Sequence, residues 1–403
     1  MYITRTIEDL ITETSNHFGV VLITGARQVG KSTVLKHCDD KRTYVTLDNP
    51  ITRELAINEP QLFMQRYQAP VIIDEIQYAP DLLSYIKMEV DTKKANGAYW
   101  LTGSQQFHMM KNVSESLAGR VGILNLMGFS LSELDSKPKQ QPFIPTSDYI
   151  ENARINSKKY TLKEIYEIIW RGSFPAINID KEQSWEMFYS SYLQTYLERD
   201  IRDLASISDE MTFLKFIRII ASRTGRLLNY SDIASSVGIS QPTAKAWLSL
   251  LISSGLVYLL EPYYNNLSKR MIKTPKLYFL DTGLCSYLTN WSSPEVLESG
   301  AMSGAIFETF VVAEILKSYL HRGKRPPIYF YRDKDKKEID LIIEQNGKLY
   351  PIEIKKTAKP DKSSIKNFNV LPDLNRAEGA VICLCDEDLP LTENVNIIPV
   401  GYL

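Results

Sequence analysis

The stretch Val20-Val21-Leu22-Ile23-Thr24-Gly25-Ala26-Arg27-Gln28-Val29-Gly30-Lys31-Ser32-Thr33 decides the fold. An apolar run ends at Gly25, Gly30-Lys31-Ser32 follows, and a helical pattern continues through Val34 and Leu35. Strand, G-x-x-x-x-G-K-[ST] and helix in that order make a phosphate-binding loop, or P-loop. The spacing has a physical meaning. Gly25 and Gly30 let the backbone bend until its N–H groups point at phosphate oxygens. The N-terminus of the following helix adds positive potential. Gly25, Ala26, Arg27, Gln28, Val29, Gly30, Lys31, Ser32 and Thr33 are the candidate nucleotide cradle. Lys31 is suited to the β- and γ-phosphates, and the Ser32 hydroxyl to magnesium. ATP and Mg are the implied cofactors.

Working outward, four more apolar runs alternate with helical or loop segments: Thr43–Leu47, Val71–Ile73, Tyr99–Thr102 and Val121–Leu126. Such alternation predicts an α/β domain with a parallel P-loop sheet. Ligands then sit at the carboxyl ends of the strands. Val71-Ile72-Ile73-Asp74-Glu75 is a buried strand ending in two carboxylates. Behind a phosphate loop, Asp74 is the second candidate magnesium holder. Glu75 is the candidate general base that polarises the attacking water. In Leu101-Thr102-Gly103-Ser104, Ser104 either orients water near the γ-phosphate or simply forms a turn. In Leu117-Ala118-Gly119-Arg120, Arg120 either reaches a γ-phosphate, in its own or a neighbouring subunit, or forms a structural ion pair.

These segments together resemble the AAA-type ATPases. More narrowly they resemble a large prokaryotic group of ATPases whose C-terminal half is catalogued as a domain of unknown function. The resemblance covers nearly the whole chain. It implies ATP binding and hydrolysis and a helical lid after the sheet. Because AAA-type sheets often place an arginine across a subunit boundary, it also leaves open a homo-oligomer, with Arg120 acting either in cis or in trans. It does not settle the biological role.

The composition is ordinary for a globular protein, at 44% hydrophobic and 24% charged over 403 residues, enough for two or three domains. A formal net charge of -1 offers no global basic field, so DNA or RNA would have to meet a local patch. Cys38, Cys285, Cys383 and Cys385 form no C-x-x-C pair and read as reduced thiols. The opening Met1-Tyr2-Ile3-Thr4-Arg5 lacks an apolar core of signal-peptide length, and no run is long enough to span a bilayer. The expected location is cytoplasmic, with no membrane partner.

Four domains are expected: residues 1–135, the nucleotide-binding sheet; 136–210, a linker and helical lid; 211–282, a winged helix; and 283–403, a small α/β domain. Lys137 to Lys159 reads as a polar linker. Leu162, Ile165, Ile168 and Ile169 repeat at helical spacing, and Trp185 to Leu204 predicts a long helix with an aromatic stripe. Arg199-Asp200 at its end reads as a local ion pair. Helices at Met211–Arg223, Asp232–Val237 (capped by Ser231) and Gln241–Leu251 precede strands at Gly255–Leu260 and Lys276–Leu280, which is helix-turn-helix plus a wing. Gln241, Thr243 and Lys245 would face a DNA groove, but only one of them is basic, and a winged helix that serves as a protein-packing module is the other reading.

The last quarter runs helix, three-stranded meander, helix and strand, the order of the PD-(D/E)xK nuclease-like core. Asp340 opens one strand, Glu353-x-Lys355 lies on the next, and Asn346-Gly347 turns between them. Glu353 and Lys355, two apart, project from one face. The expectation is that Glu308, Asp340 and Glu353 converge on a magnesium ion and that Lys355 activates water against a phosphodiester. An alternating charged strand on a solvated face is the other possibility. Two functions remain open: an ATPase driving a nuclease-like effector, or an ATP-controlled switch whose C-terminal half only binds.

Overall fold

The structure is a computed structural model that describes residues 2–103, 113, 116–137, 141–196, 210–264 and 274–403. Two compact units account for them. The first contains Met1–Phe129 with Ser253–Gly255 and Tyr319–Arg325, and the second contains Ser130–Ile252, Leu256–Ser318 and Pro326–Leu403. The chain does not divide into compact units at residues 210 and 282.

The first unit is built on a five-stranded sheet of β1 (Val20–Thr24), β2 (Thr43–Thr46), β3 (Val71–Asp74), β4 (Tyr99–Gly103) and β5 (Val121–Asn125). Their order is β2-β3-β4-β1-β5 and every pairing is parallel. The expected strands match within a residue at their carboxyl ends. All five residues of β1 are buried, so its apolar run is continuous rather than alternating, as a sheet covered on both faces requires. Val20 and Leu22 join Val71, Ile73 and Leu101 in one cluster against Leu82, Leu83 and Ile86 of the helix Leu82–Lys93. Val20 pairs with both Tyr99 and Val121, and Thr24 with Gly103 and Asn125. This register brings the ends of β1, β3 and β4 to one edge.

The second unit holds two sheets. The strands β6 (Arg226–Leu227), β7 (Val257–Leu260) and β8 (Lys276–Phe279) form an antiparallel sheet in the order β6-β8-β7. They accompany the helices Glu210–Ala221, Tyr230–Val237 and Gln241–Ser253. Gly238, at φ 93°, closes the turn between the last two helices. Asn229, not the expected Ser231, caps the middle one, accepting from Asp232 N–H. Six strands make the other sheet: β9 (Ile328–Arg332), β10 (Glu338–Gln345), β11 (Lys348–Lys355), β12 (Gly379–Cys383), β13 (Leu389–Thr392) and β14 (Val395–Pro399), in the order β13-β14-β12-β11-β10-β9. β9, β10 and β11 are an antiparallel meander, and β12 and β14 run parallel to β11. Asn346 and Gly347 both have positive φ, 53° and 74°, as a two-residue hairpin turn demands. Residues Lys362–Val370 form 3-10 turns instead of the expected α-helix.

The two sheets of this unit are joined. The chain leaving β7 continues along the edge of β9: Tyr263 N–H donates to the Phe330 carbonyl at 2.6 Å, and Phe330 N–H to the Glu261 carbonyl at 3.1 Å. Tyr263 also enters the apolar cluster of Ile339, Ile342, Leu349 and Val381. The segment read as a linker holds the helix Ser147–Asn156, capped by Thr146, with Tyr149, Ile150 and Ala153 buried. Its apolar stripe is only three residues wide, too narrow to stand out from polar neighbours. The helix Trp185–Tyr196 is present, while Arg199 and Asp200 lie outside the described residues.

One buried charge pair stands apart from the candidate sites. Glu314 accepts from Leu131 N–H at 2.8 Å and from the Lys317 ammonium at 2.7 Å, and both side chains are buried. Removing the carboxylate leaves a buried ammonium without it, a change worth about 3 kcal/mol or more. Glu314→Ala is therefore expected to lower the unfolding free energy measured by urea titration by that amount, with the double variant Glu314→Leu/Lys317→Met recovering most of it.

Candidate functional site

The phosphate loop follows β1 and turns on three unusual backbone angles. Gly25 has φ 147°, Gln28 61° and Gly30 93°. A Cβ on Gly25 would lie 2.0 Å from the Leu126 carbonyl oxygen, so only glycine fits between β1 and the exit of β5. Gly30 is the N-cap of the helix Lys31–Cys38. The buried Lys31 ammonium donates to the Gly25 carbonyl at 3.1 Å and the Ala26 carbonyl at 2.9 Å, beneath the loop it would serve. Gly255 also approaches this loop: a Cβ there would stand 3.4 Å from Ala26 N.

Three elements converge on Asp74. Ser32 Oγ, on the helix, donates to Oδ1 at 2.6 Å. Tyr44 OH, on β2, donates to Oδ2 at 2.7 Å. Thr102 Oγ1, on β4 and fully buried, also donates to Oδ1 and accepts from Glu75 N–H at 3.1 Å. Burial first, and then the Asp74 carboxylate, push the Tyr44 phenol up, so it stays a neutral donor. Glu75 sits at φ 60° in the left-handed region, a conformation a glutamate adopts at a cost of about 1 kcal/mol or more. Gln77 Nε2 donates to Glu75 Oε2.

The donor set suits a hard cation. A hydroxyl and a carboxylate oxygen 2.6 Å apart supply oxygen ligands, and magnesium takes few protein ligands when phosphates supply the rest. Ser32 and Asp74 would hold it there. Tyr44 and Thr102 escaped the sequence analysis. Their signal is a polar group inside an apolar strand, which is visible only once the register is known. Ser104, the candidate water-orienting residue, lies outside the described residues.

Arg120 lies elsewhere. Its carbonyl accepts from Val20 N–H, at the amino end of β1, whereas the loop leaves the carboxyl end. The intervening strand spans about 16 Å. The guanidinium forms a two-point pair with Asp91, at 2.5 and 3.0 Å, and donates to the Ala118 carbonyl at 2.9 Å. The structure thus excludes an approach to the phosphate loop of its own subunit in this arrangement.

The C-terminal cluster differs from the expectation. Asp340 and Glu353 do meet across the β10–β11 ladder, where Leu341 pairs with Ile352. The ammonium of Lys355 lies between them, 2.6 Å from Glu353 Oε2 and 3.4 Å from Asp340 Oδ2. Ile354 N–H also donates to Asp340 at 2.9 Å. Glu308 instead faces β8: Lys276 Nζ lies 3.1 Å from Oε1 and Tyr278 OH donates to it at 2.6 Å. Lys276 also pairs with Glu338 at 2.6 Å, and Arg332 with Glu338 at 2.8 Å. The expected metal site of Glu308, Asp340 and Glu353 is therefore corrected. Among the described residues, no three His, Cys, Asp or Glu side chains are grouped to hold a metal ion. Two lysines take the space that the cation was assigned, and one of them, Lys276 at the head of β8, had no distinguishing context in the sequence.

The charges are tuned by this packing. Burial pulls Lys276 down, but Glu308, Asp340 and Glu338 together raise it, so it remains an ammonium. Burial raises Glu308. Glu353 is pushed up to about 9, by burial first and by Asp340 next. One ammonium serves two carboxylates there, so a proton is retained between them.

Residues 17–135 match a family model described as an AAA domain, and residues 162–295 and 303–403 match two domains of unknown function, DUF8612 and DUF4143. An uncharacterized protein of Mycobacterium tuberculosis, Rv2008c, is 28% identical over 390 residues, covering 95% of this chain and 80% of its own length. Its Mycobacterium bovis counterpart, Mb2031c, matches equally. Among solved structures, the Walker-type ATPase PABY2304 of Pyrococcus abyssi is similar at 16% identity, with a TM-score of 0.44, over 71% of this chain and 96% of its own. AMPPCP-bound DnaA of Aquifex aeolicus is similar at 13% identity and a TM-score of 0.26, over 61% and 85%. Among the described residues no helix is long and apolar enough to cross a membrane. Residues 17–135 thus resemble an AAA domain, and residues 303–403 resemble a domain of unknown function.

Proposed function

We propose that the protein is a slow magnesium-dependent ATPase that uses its nucleotide cycle to control a nucleic-acid-binding second half. The convergence of Ser32, Tyr44 and Thr102 on Asp74, beside Glu75 and beneath the Lys31 loop, carries this reading. Magnesium would supply charge neutralisation between the phosphates. Lys31 exchanges its loop carbonyls for β- and γ-phosphate oxygens. Glu75 accepts the proton of the water that attacks the γ-phosphorus, as the bond to the β-bridging oxygen breaks and ADP leaves with it. Arg120 stabilises the transition state of a neighbouring copy once Asp91 releases it.

The second half is read as a winged helix followed by a nuclease-like domain that binds without cutting. Gln241 and Lys245 are exposed on the helix Gln241–Ser253, and Thr243 N–H donates to Ser240 Oγ at 3.2 Å. One basic residue on that helix supports weak, salt-sensitive binding. The lysines within the carboxylate cluster favour a binding role over phosphodiester cleavage.

Glu75→Gln is expected to retain ATP binding and to lose at least about 100-fold in turnover, measured by phosphate release. Lys31→Ala should weaken ATP binding by at least about tenfold. Wild-type turnover by Glu75→Gln would remove Glu75 from the mechanism.

A mixture of Arg120→Ala and Glu75→Gln subunits should hydrolyse ATP faster than either alone, because one interface of the mixed assembly has both groups. Equal rates in an assembly shown to be oligomeric would restrict Arg120 to its Asp91 pair.

The full chain should retard duplex DNA only at low salt, and should leave supercoiled plasmid intact with magnesium or manganese. Cleavage that disappears in Asp340→Ala would restore the nuclease assignment.

Glu353 gives the cluster a pH signature. Its folded value of about 9 lies above the ~4.3 of an unfolded glutamate. The folded chain then binds the proton more tightly, and stability falls as pH rises from about 4.3 towards about 9. Glu353→Gln should flatten this slope, so that its melting temperature drops less than wild type between about pH 6 and about pH 9.

A further inference from the structure

Ahead of the first strand lies a buried guanidinium that the chemistry above does not use. Arg5 is only 4% exposed. Its Nη1 donates to the Val29 carbonyl at 3.0 Å, and its Nη2 to the carbonyls of Met127 at 2.7 Å and Gly128 at 3.2 Å. The group lies over the Phe129 ring, 4.7 Å from its centroid. Its own backbone is tethered, Arg5 N–H donating to Glu8 Oε1 at 2.5 Å. Val29 belongs to the phosphate loop, while Met127 and Gly128 follow Leu126, whose carbonyl confines Gly25. One planar fork therefore ties the middle of the loop to the segment that walls its start. An ammonium on a flexible stem does not match three acceptors spread in this way.

The Val29–Gly30 peptide is trans and planar, so its C=O and N–H point in opposite directions. Holding the carbonyl on Arg5 fixes where the Gly30 N–H points. Gln28 and Gly30 on either side have left-handed φ values, so the chain turns sharply around this peptide. N–H groups of such a loop are the phosphate donors. We propose that Arg5 is a positioning residue for the phosphate loop: by holding the Val29 carbonyl it aims the Gly30 N–H at the β-phosphate of ADP and ATP. This rests on the loop's role as the nucleotide cradle.

The test measures ADP and AMP affinity by competition against a fluorescent ATP analogue, on the full chain. Arg5→Lys should weaken ADP about tenfold and AMP by less than about twofold, because only ADP carries the β-phosphate. Arg5→Gly should regain ADP affinity when methylguanidinium is added. Phe129→Leu, which keeps the hydrogen bonds and removes the ring beneath them, should show a smaller loss of the same selectivity if Arg5 variants fold poorly. Unchanged ADP affinity in Arg5→Lys, or equal losses for ADP and AMP in either variant, overturns the proposal. Lys31→Ala is the control: if it too leaves ADP affinity unchanged, the nucleotide assignment of the loop fails instead.

Discussion

The first unit depends on one carboxylate being held still. Asp74 ends a buried strand, and an ionised group there is costly unless its oxygens are hydrogen-bonded. The helix behind the loop, β2 and β4 each contribute one hydroxyl to it. These bonds join three elements distant in sequence, so the loop helix and the sheet edge form one polar network. Thr102 extends the network to Glu75 by accepting its backbone N–H. The backbone of Glu75 is therefore held by the same residue that braces Asp74. The left-handed backbone at Glu75 is tolerated because the surrounding bonds overdetermine it.

The second unit resolves its buried charge differently. Its acids are held by lysines and a tyrosine, and each lysine serves two carboxylates. Lys276 comes from the antiparallel sheet, while Glu308 lies on the helix Ser303–Leu320 and Glu338 on β10. A buried ion network of this sort contributes more to registering its elements than to net stability, because desolvation offsets much of the attraction.

Sequence reading reached the strands and the phosphate loop of the first unit because their signals are local. The Gly25–Thr33 loop, the acids at the end of β3 and the apolar runs each announce themselves within a few residues. The Asn346-Gly347 turn likewise set the β10–β11 register and so brought Asp340 to Glu353. What escaped was long-range. Tyr44 and Arg5 acquire their roles from partners that only the folded sheet supplies, and Lys276 acquires its role from a helix some thirty residues away. The metal expectation at Glu308 went astray for that reason: three acids were counted without the cation that a neighbouring strand inserts. The helix Ser147–Asn156 was missed because only a narrow stripe of it is buried.

The seam between Tyr263 and Phe330 makes the hairpin and the six-stranded sheet of the second unit a single hydrogen-bonded surface. Its consequence is one of solubility and of heredity alike. A chain ending after β8 would lack the β9 strand that covers the Glu261–Tyr263 segment, and the remaining piece would begin on a bare strand edge. Both fragments would present unpaired backbone groups flanked by aromatic side chains, a template for cross-chain pairing. The two segments can therefore be exchanged or lost in evolution only together, unless a new covering element arises at that edge.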